Sequence, residues 1–197
     1  PDLFALSTDT GRMNCRNPNA QNMPRKTNDP IGIRSFIKAP DGHYILSLDF
    51  SQIELRVGAF YCRDEVMMGV YRKGGDIHAA TTSVIFGCTY EEAKDKNFPG
   101  YKEHRTIAKN VNFGTFYGLF PRGLQRTLKF KAGVERSLGE CEEIINSLKY
   151  GYPALHTWQE ETKAEAARRV YTETWLGRRR YLPSILSDNW GQKSFAE

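Results

Sequence analysis

The chain has 197 residues, 40% hydrophobic and 26% charged, a balance that supports an ordinary domain with a real core and excludes a disordered or fibrous protein. No apolar run approaches the roughly 20 residues needed to span a bilayer, and the opening P-D-L-F-A-L-S-T lacks a charged-then-apolar export segment. The net charge of +5 favours a polyanionic partner; the four scattered cysteines, with no C-x-x-C and no His at zinc-finger spacing, read as reduced thiols of a cytoplasmic protein.

Residues 1–43 are rich in Asn, Pro, Gly and Arg and predict irregular backbone with short strands. Thr8–Met13 (T-D-T-G-R-M) and Asn17–Pro24 (N-P-N-A-Q-N-M-P) concentrate amide and guanidinium donors. Such groups suit phosphates, sugars and minor-groove acceptors, although a turn-rich connector has the same composition. His43–Asp49 alternates apolar residues and predicts a strand ending at Asp49. A carboxylate there can hold a hard metal ion or merely form the turn. Ser51 and Glu54 have capping-box spacing for a helix from Gln52 to about Cys62. Short helices are expected from Asp64 to Gly100. Asp76 serves as N-cap of Ile77–Phe86, Gly87 lies just past its end, and Thr89 with Glu92 makes a second capping box.

The most informative stretch is Arg105–Gly118, R-T-I-A-K-N-V-N-F-G-T-F-Y-G, in a helix expected to begin near Tyr101–Glu103 and to stop at Gly118. Arg105, Lys109, Phe113 and Tyr117 recur at every fourth position, which on a helix stacks them along one stripe. Two cations near its start and two aromatic rings near its end suit a nucleoside triphosphate, charged at one end and flat at the other. Spacing alone equally fits a surface helix with a cationic shoulder and a buried aromatic edge. Further on, Pro121–Leu128 predicts a short helix, and Ser137 with Glu140 a third capping box, for a helix to about Tyr150. Pro153 sits at the first position of a helix over Ala154–Arg169, with Trp158 on its apolar side. Val170–Trp175 reads as a strand and Leu176–Pro183 as a basic turn carrying Arg178, Arg179 and Arg180. Pro1 in place of an initiator Met, and the closing K-S-F-A-E, lead us to expect a fragment of a larger protein.

The string R-x3-K-x2-N-F-G-x2-Y-G resembles the nucleotide-binding fingers helix of family A DNA polymerases, the bacterial DNA polymerase I type. The resemblance runs over about residues 7–183. T-G-R followed by P-N-x-Q-N-x-P is similar to the segment that grips the primer–template minor groove, which implies DNA contacts for Arg12, Asn19, Gln21 and Asn22. D-F-S-Q-I-E-L-R looks like the first catalytic motif, usually D-Y-S-Q-I-E-L-R, and makes Asp49 the metal carboxylate despite Phe50 in place of Tyr. By the same resemblance Gln52 and Glu54 border the incoming nucleotide, and Glu54 excludes a 2′-hydroxyl. G-D-I-H (Gly75–His78) matches a segment whose His contacts the triphosphate, and T-x-x-G-R-R-R-Y-x-P puts Arg178–Arg180 near the template. Arg105 and Lys109 would neutralise the triphosphate, Phe113 would pack base and sugar and discriminate against dideoxynucleotides, and Tyr117 would stack on the templating base.

The resemblance thus implies an α+β fold, a mainly helical fingers subdomain attached to an incomplete antiparallel palm sheet. Residues 1–60 would belong to the palm, 61–183 to the fingers, and 184–197 to a helix returning to the palm. The implied cofactors are two Mg²⁺ ions, with Mn²⁺ as an alternative. The partners are primer–template DNA and deoxynucleoside triphosphates, in a monomeric parent. The family's second metal carboxylate lies in an H-D-E tripeptide that does not occur here. A single-subunit RNA polymerase shares the metal Asp and an R-x3-K-x7-Y-G helix, but Glu54 and Phe113 weigh against it. A nucleic-acid-binding module without catalysis would not need Asp49, Arg105 and Lys109 together.

Overall fold

The computed structural model describes all residues except 6, 7, 9, 25–28 and 197. Asp9, inside the expected T-D-T-G-R-M segment, therefore lies outside the described residues. The chain forms two compact units, Pro1–Phe50 with Glu173–Tyr181, and Ser51–Thr172 with Leu182–Glu197.

The first unit is largely irregular. Asp2–Phe4 (β1) pairs antiparallel with Asn14–Arg16 (β2), Leu3 opposite Cys15. Cys15 is buried and works as a local anchor: its Sγ donates to Pro18 O at 3.5 Å and accepts from Ala20 N–H at 3.3 Å. Short 3₁₀ turns cover Ala20–Asn22 and Ile33–Phe36. A second two-stranded sheet pairs Tyr171–Glu173 (β3) with Arg179–Tyr181 (β4), and the division between the units passes through β3.

The predicted strand over His43–Asp49 does not form. Tyr44, Ile45, Leu46 and Leu48 stand exposed in chain without regular secondary structure. Alternating apolar residues give a segment the capacity to pair, but a strand exists only beside another strand. Among the described residues β1 pairs with β2 and β3 with β4, and the segment joins neither sheet.

The second unit is helical. In order come Ile53–Cys62 (α1), Glu65–Arg72 (α2), Ile77–Phe86 (α3), Tyr90–Lys94 (α4), Tyr101–Thr115 (α5), Pro121–Thr127 (α6), Leu138–Gly151 (α7), Pro153–Arg169 (α8) and Trp190–Ala196 (α9). The apolar faces of α1, α2, α3, α5, α6, α7 and α8 meet in one core that includes Leu55, Met67, Ile77, Ile107, Val111, Leu124, Leu128, Ile144, Leu148 and Leu155, with Trp158 packed against it. Among the described residues no helix is long and apolar enough to cross a membrane.

The capping boxes at Thr89–Glu92 and Ser137–Glu140 both form, and Asp76 caps α3 as expected, its carboxylate accepting from His78 N–H at 2.9 Å. The box at Ser51–Glu54 does not. The helix starts after Gln52, which takes a left-handed conformation (φ 55) without a side-chain cap. Ser51 instead offers its carbonyl to Arg56 Nε at 2.9 Å, and the Arg56 guanidinium lies 4.5 Å over the Tyr71 ring. A capping box needs its Ser in extended backbone directly before the first helical turn. Gln52 breaks that continuity.

Gly58 on α1 gives a prediction whose sign runs against helix propensity. Replacing a helical Gly by Ala ordinarily gains ~0.5–1 kcal/mol. A methyl at Gly58, however, would collide with the Phe116 ring, and forced overpacking costs about 1–3 kcal/mol. Gly58→Ala is therefore expected to lower the urea midpoint. Gly139→Ala on α7, where nothing lies within 4 Å of the new methyl, should raise it. Equal midpoint shifts in the two variants would refute this packing account.

Candidate functional site

Helix α5 is two-faced. Ile107, Ala108, Val111 and Asn112 are buried, while Arg105 is partly covered and Lys109 and Phe113 look outward. The stripe read from the sequence is real as far as Phe113. Its last member, Tyr117, lies just past the helix in the closing turn and is 69% exposed. That turn is a Schellman motif: Gly118 N–H donates to Thr115 O at 3.2 Å and Leu119 N–H to Gly114 O at 3.1 Å. Gly118 takes the left-handed conformation (φ 69) that the motif requires. Gln159 of α8 adds a hydrogen bond from Nε2 to Thr115 O at 2.6 Å, so a terminal carbonyl of α5 is satisfied from a neighbouring helix.

Near the other end of the stripe, Arg105 Nη2 meets Asp76 Oδ2 at 2.5 Å, with both side chains largely covered. Asp76 therefore uses one oxygen to cap α3 and the other to hold Arg105. Burial works against the Asp76 charge. The hydrogen bond and charge of Arg105, together with the His78 backbone N–H, outweigh it and keep the carboxyl below its usual range.

His78, 5% exposed, lies between these groups and Phe113, its ring centroid 6.2 Å from that of Phe113 at an interplanar angle of 44°. Burial pushes its pKa down to about 4. Asp76 opposes that shift, and Arg105 and Lys109 reinforce it. The ring is therefore neutral at physiological pH. Its Nδ1 lies 2.9 Å from Asn112 Nδ2, and Asn112 Oδ1 accepts from Thr81 Oγ1 at 2.8 Å. Thr81 Oγ1 is also 2.8 Å from the Tyr152 hydroxyl. Asn112, Thr81 and Tyr152 were not singled out from the sequence. Asn112 is the Asn of the R-x3-K-x2-N-F-G string, and an Asn on the apolar face of an amphipathic helix has to find a partner; Thr81 and Tyr152 carry no such signal.

Gln52 and Glu54 flank the start of α1, Gln52 partly covered and Glu54 exposed in the first turn. In the first unit, Asp49 is exposed in chain without regular secondary structure. An oxygen donor suits a hard cation, but one carboxylate gives only part of a ligand set. Among the described residues no group of three or more His, Cys, Asp and Glu could hold a metal ion. Asn19 caps the 3₁₀ turn that carries Gln21 and Asn22, accepting from Gln21 N–H at 3.1 Å. Two expected DNA-contact segments meet within this unit. Gly11, at φ 81, leaves room for the Arg178 guanidinium, which packs where a side chain would otherwise be. Arg12 follows Gly11 directly. Arg179 pairs with Glu173 across the hairpin, and Arg180 is exposed.

The family model described as DNA polymerase family A matches residues 2–197. The chain is 36% identical over 188 residues to DNA polymerase I of Pseudomonas aeruginosa, covering 95% of this chain and 19% of that protein. It is 38% identical over 181 residues to the thermostable DNA polymerase I of Thermus aquaticus, covering 91% and 20%. Among solved structures it is similar to the POL domain of Pol1 from M. smegmatis in complex with DNA primer-template and dNTP. There the TM-score is 0.83 at 28% identity, over 98% of this chain and 32% of that one. The chain thus spans about a fifth of the length of these curated relatives.

The neutral His78 makes stability depend on pH in a defined direction. With a folded pKa of about 4 against 6.5 when unfolded, the unfolded chain binds the extra proton between those values. Stability from this source is complete above pH 6.5 and falls as pH drops towards 4, by roughly 1–3 kcal/mol. Urea unfolding from pH 7 to pH 4.5 measures it. His78→Gln should flatten the slope, and an unchanged slope would show that His78 does not set it.

Proposed function

The chain belongs to DNA polymerase family A, and from that membership we propose that it supplies the nucleotide-binding fingers and part of the palm of a template-directed DNA polymerase. The observation that carries this reading is α5, which presents Lys109 and Phe113 outward, keeps Arg105 partly covered on Asp76, and has His78 beside Phe113. In this proposal the division is palm for 1–60, fingers for 61–183, and a returning helix for 184–197. The partners are primer–template DNA and deoxynucleoside triphosphates. Four free cysteines among the described residues agree with a reducing, cytoplasmic setting.

The reaction is in-line attack of a primer 3′-hydroxyl on the α-phosphate, with loss of pyrophosphate. Most of the catalytic work is positioning and charge stabilisation. Lys109 brings a point charge to the triphosphate. Arg105 brings a planar fork whose orientation Asp76 fixes in advance. Neutral His78 adds a hydrogen bond without adding charge, and Phe113 packs base and sugar and disfavours dideoxynucleotides. Tyr117, on the tight turn, stacks on the templating base, and opening and closing of α5 gates the site. Glu54 and Gln52 line the sugar, Glu54 leaving no room for a 2′-hydroxyl. On the DNA side, Arg12, Asn19, Gln21 and Asn22 grip the primer–template minor groove, and Arg178, Arg179 and Arg180 lie along the template. The chemistry of two Mg²⁺ ions, or Mn²⁺, would be charge stabilisation on the reacting phosphate. Asp49 is this chain's contribution to holding them. The relatives matched are DNA polymerases, which argues against the RNA-polymerase alternative.

Two measurements test this reading. In a polymerase containing this segment, Lys109→Ala should slow single-turnover incorporation by 10²-fold or more, the size seen for loss of one oxyanion-type contact of ~2.7–4 kcal/mol. Primer–template affinity should hardly change, and a rate within threefold of wild type would remove Lys109 from the site. Residues 1–197 alone, with a single metal carboxylate in Asp49, should extend no primer with Mg²⁺ or Mn²⁺. Templated extension above an Asp49→Ala control would mean that the second carboxylate lies within these residues.

A further inference from the structure

The side chains behind His78 form a chain with only one consistent proton order. Tyr152, 2% exposed at the junction of α7 and α8, has one phenol proton to give and Thr81 Oγ1 as its partner at 2.8 Å. Thr81 passes its own proton to Asn112 Oδ1 at 2.8 Å. Asn112 Nδ2 then donates to His78 Nδ1 at 2.9 Å. A carboxamide oxygen only accepts and its nitrogen only donates, so His78 Nδ1 is an acceptor and the ring proton sits on Nε2. The opposite order would turn Asn112 over and send the Thr81 proton back to Tyr152. The phenol proton would then have no acceptor among the described residues in a buried site. Thr82 Oγ1 donates to His78 O at 2.8 Å, tying down the backbone of the same residue.

We propose that Asn112 is a positioning residue for the incoming nucleotide: oriented by Thr81 and Tyr152, its carboxamide locks His78 as the Nε2–H tautomer, so that a neutral ring offers a hydrogen-bond donor to the phosphate oxygens. This rests on the reading of His78 as a phosphate contact. The charged groups around the ring are Asp76 from the start of α3 and Arg105 and Lys109 from α5. Burial and the two cations keep the imidazole neutral, so the tautomer alone decides what it shows an anion. With the proton on Nε2 it attracts; with the proton on Nδ1 it would turn a lone pair towards phosphate. Asn112 directly precedes Phe113, so consecutive residues of α5 set the ring from behind and pack the nucleotide in front.

The test is a long-range ¹H–¹⁵N correlation spectrum of the His78 imidazole in ¹⁵N-labelled residues 1–197. The wild-type chain should show the Nε2–H tautomer from pH 8 to pH 5; the Nδ1–H pattern or an even mixture would overturn the proposal without any variant. Asn112→Asp, which replaces the donor by an acceptor, should move the proton to Nδ1 or give an imidazolium. An unchanged spectrum there overturns it too. In the polymerase containing this segment, Asn112→Asp should raise the Kd for dATP tenfold or more. The uncharged Thr81→Val should raise it in the same direction by less. Arg105→Ala and Lys109→Ala separate the two levels of inference. If those weaken dATP binding while Asn112→Asp leaves it unchanged, the positioning role fails alone. If none of the three weakens it, the nucleotide site itself is misassigned and the proposal falls with it.

Discussion

Helix α5 has to be held from behind before it can hold anything in front. Its inner face, Ile107, Ala108 and Val111, joins the core shared with Ile77 of α3, and every expected nucleotide contact on this helix takes its place from that packing. A purely apolar seam would leave the helix free to slide in small steps. Polar bonds within the seam remove that freedom, because each has one geometry and costs much when broken in a dry setting. Here they lie at two levels, Arg105 on Asp76 and Asn112 on His78. Gln159 adds a third tie at the end of the helix.

Asp76 illustrates how much one side chain can coordinate. Its two oxygens join the start of α3 to the guanidinium of α5, and its backbone N–H donates to the Tyr90 hydroxyl at 2.8 Å, so α4 is drawn into the same node. Most ion pairs here, such as Arg72–Glu65 and Lys163–Glu160, are solvent-exposed and contribute little. The Arg105–Asp76 pair is largely covered, so its geometry is better fixed and less screened by salt. It also means that the cationic end of the stripe does not present its full charge to an approaching anion.

What could be read from the sequence was what depends on near neighbours. The four-residue spacing of Arg105, Lys109 and Phe113, the glycine that stops α5, and the boxes at Thr89 and Ser137 are all settled within a few residues, and all appear in the structure. The Ser51 box met the same spacing rule but failed because its outcome depended on one backbone angle at Gln52. The His43–Asp49 strand failed for a different reason, since pairing is a property of two segments. The polar chain behind His78 was out of reach of any local rule. Its links join residues 31, 34 and 71 positions apart. The contact of Arg178 with Gly11 is equally remote, joining residues from opposite ends of the chain.

The unpaired segment from Tyr44 to Phe50 bears on how these residues behave as a material. It presents aromatic and aliphatic side chains to water along backbone that belongs to no ladder. A segment of alternating apolar residues outside any sheet has the capacity to pair with another chain, and its one charge is Asp49 near its end. In the isolated chain these few residues act against the solubility that a net charge of +5 favours. Self-association through them would leave the helical unit intact while consuming the segment that carries Asp49.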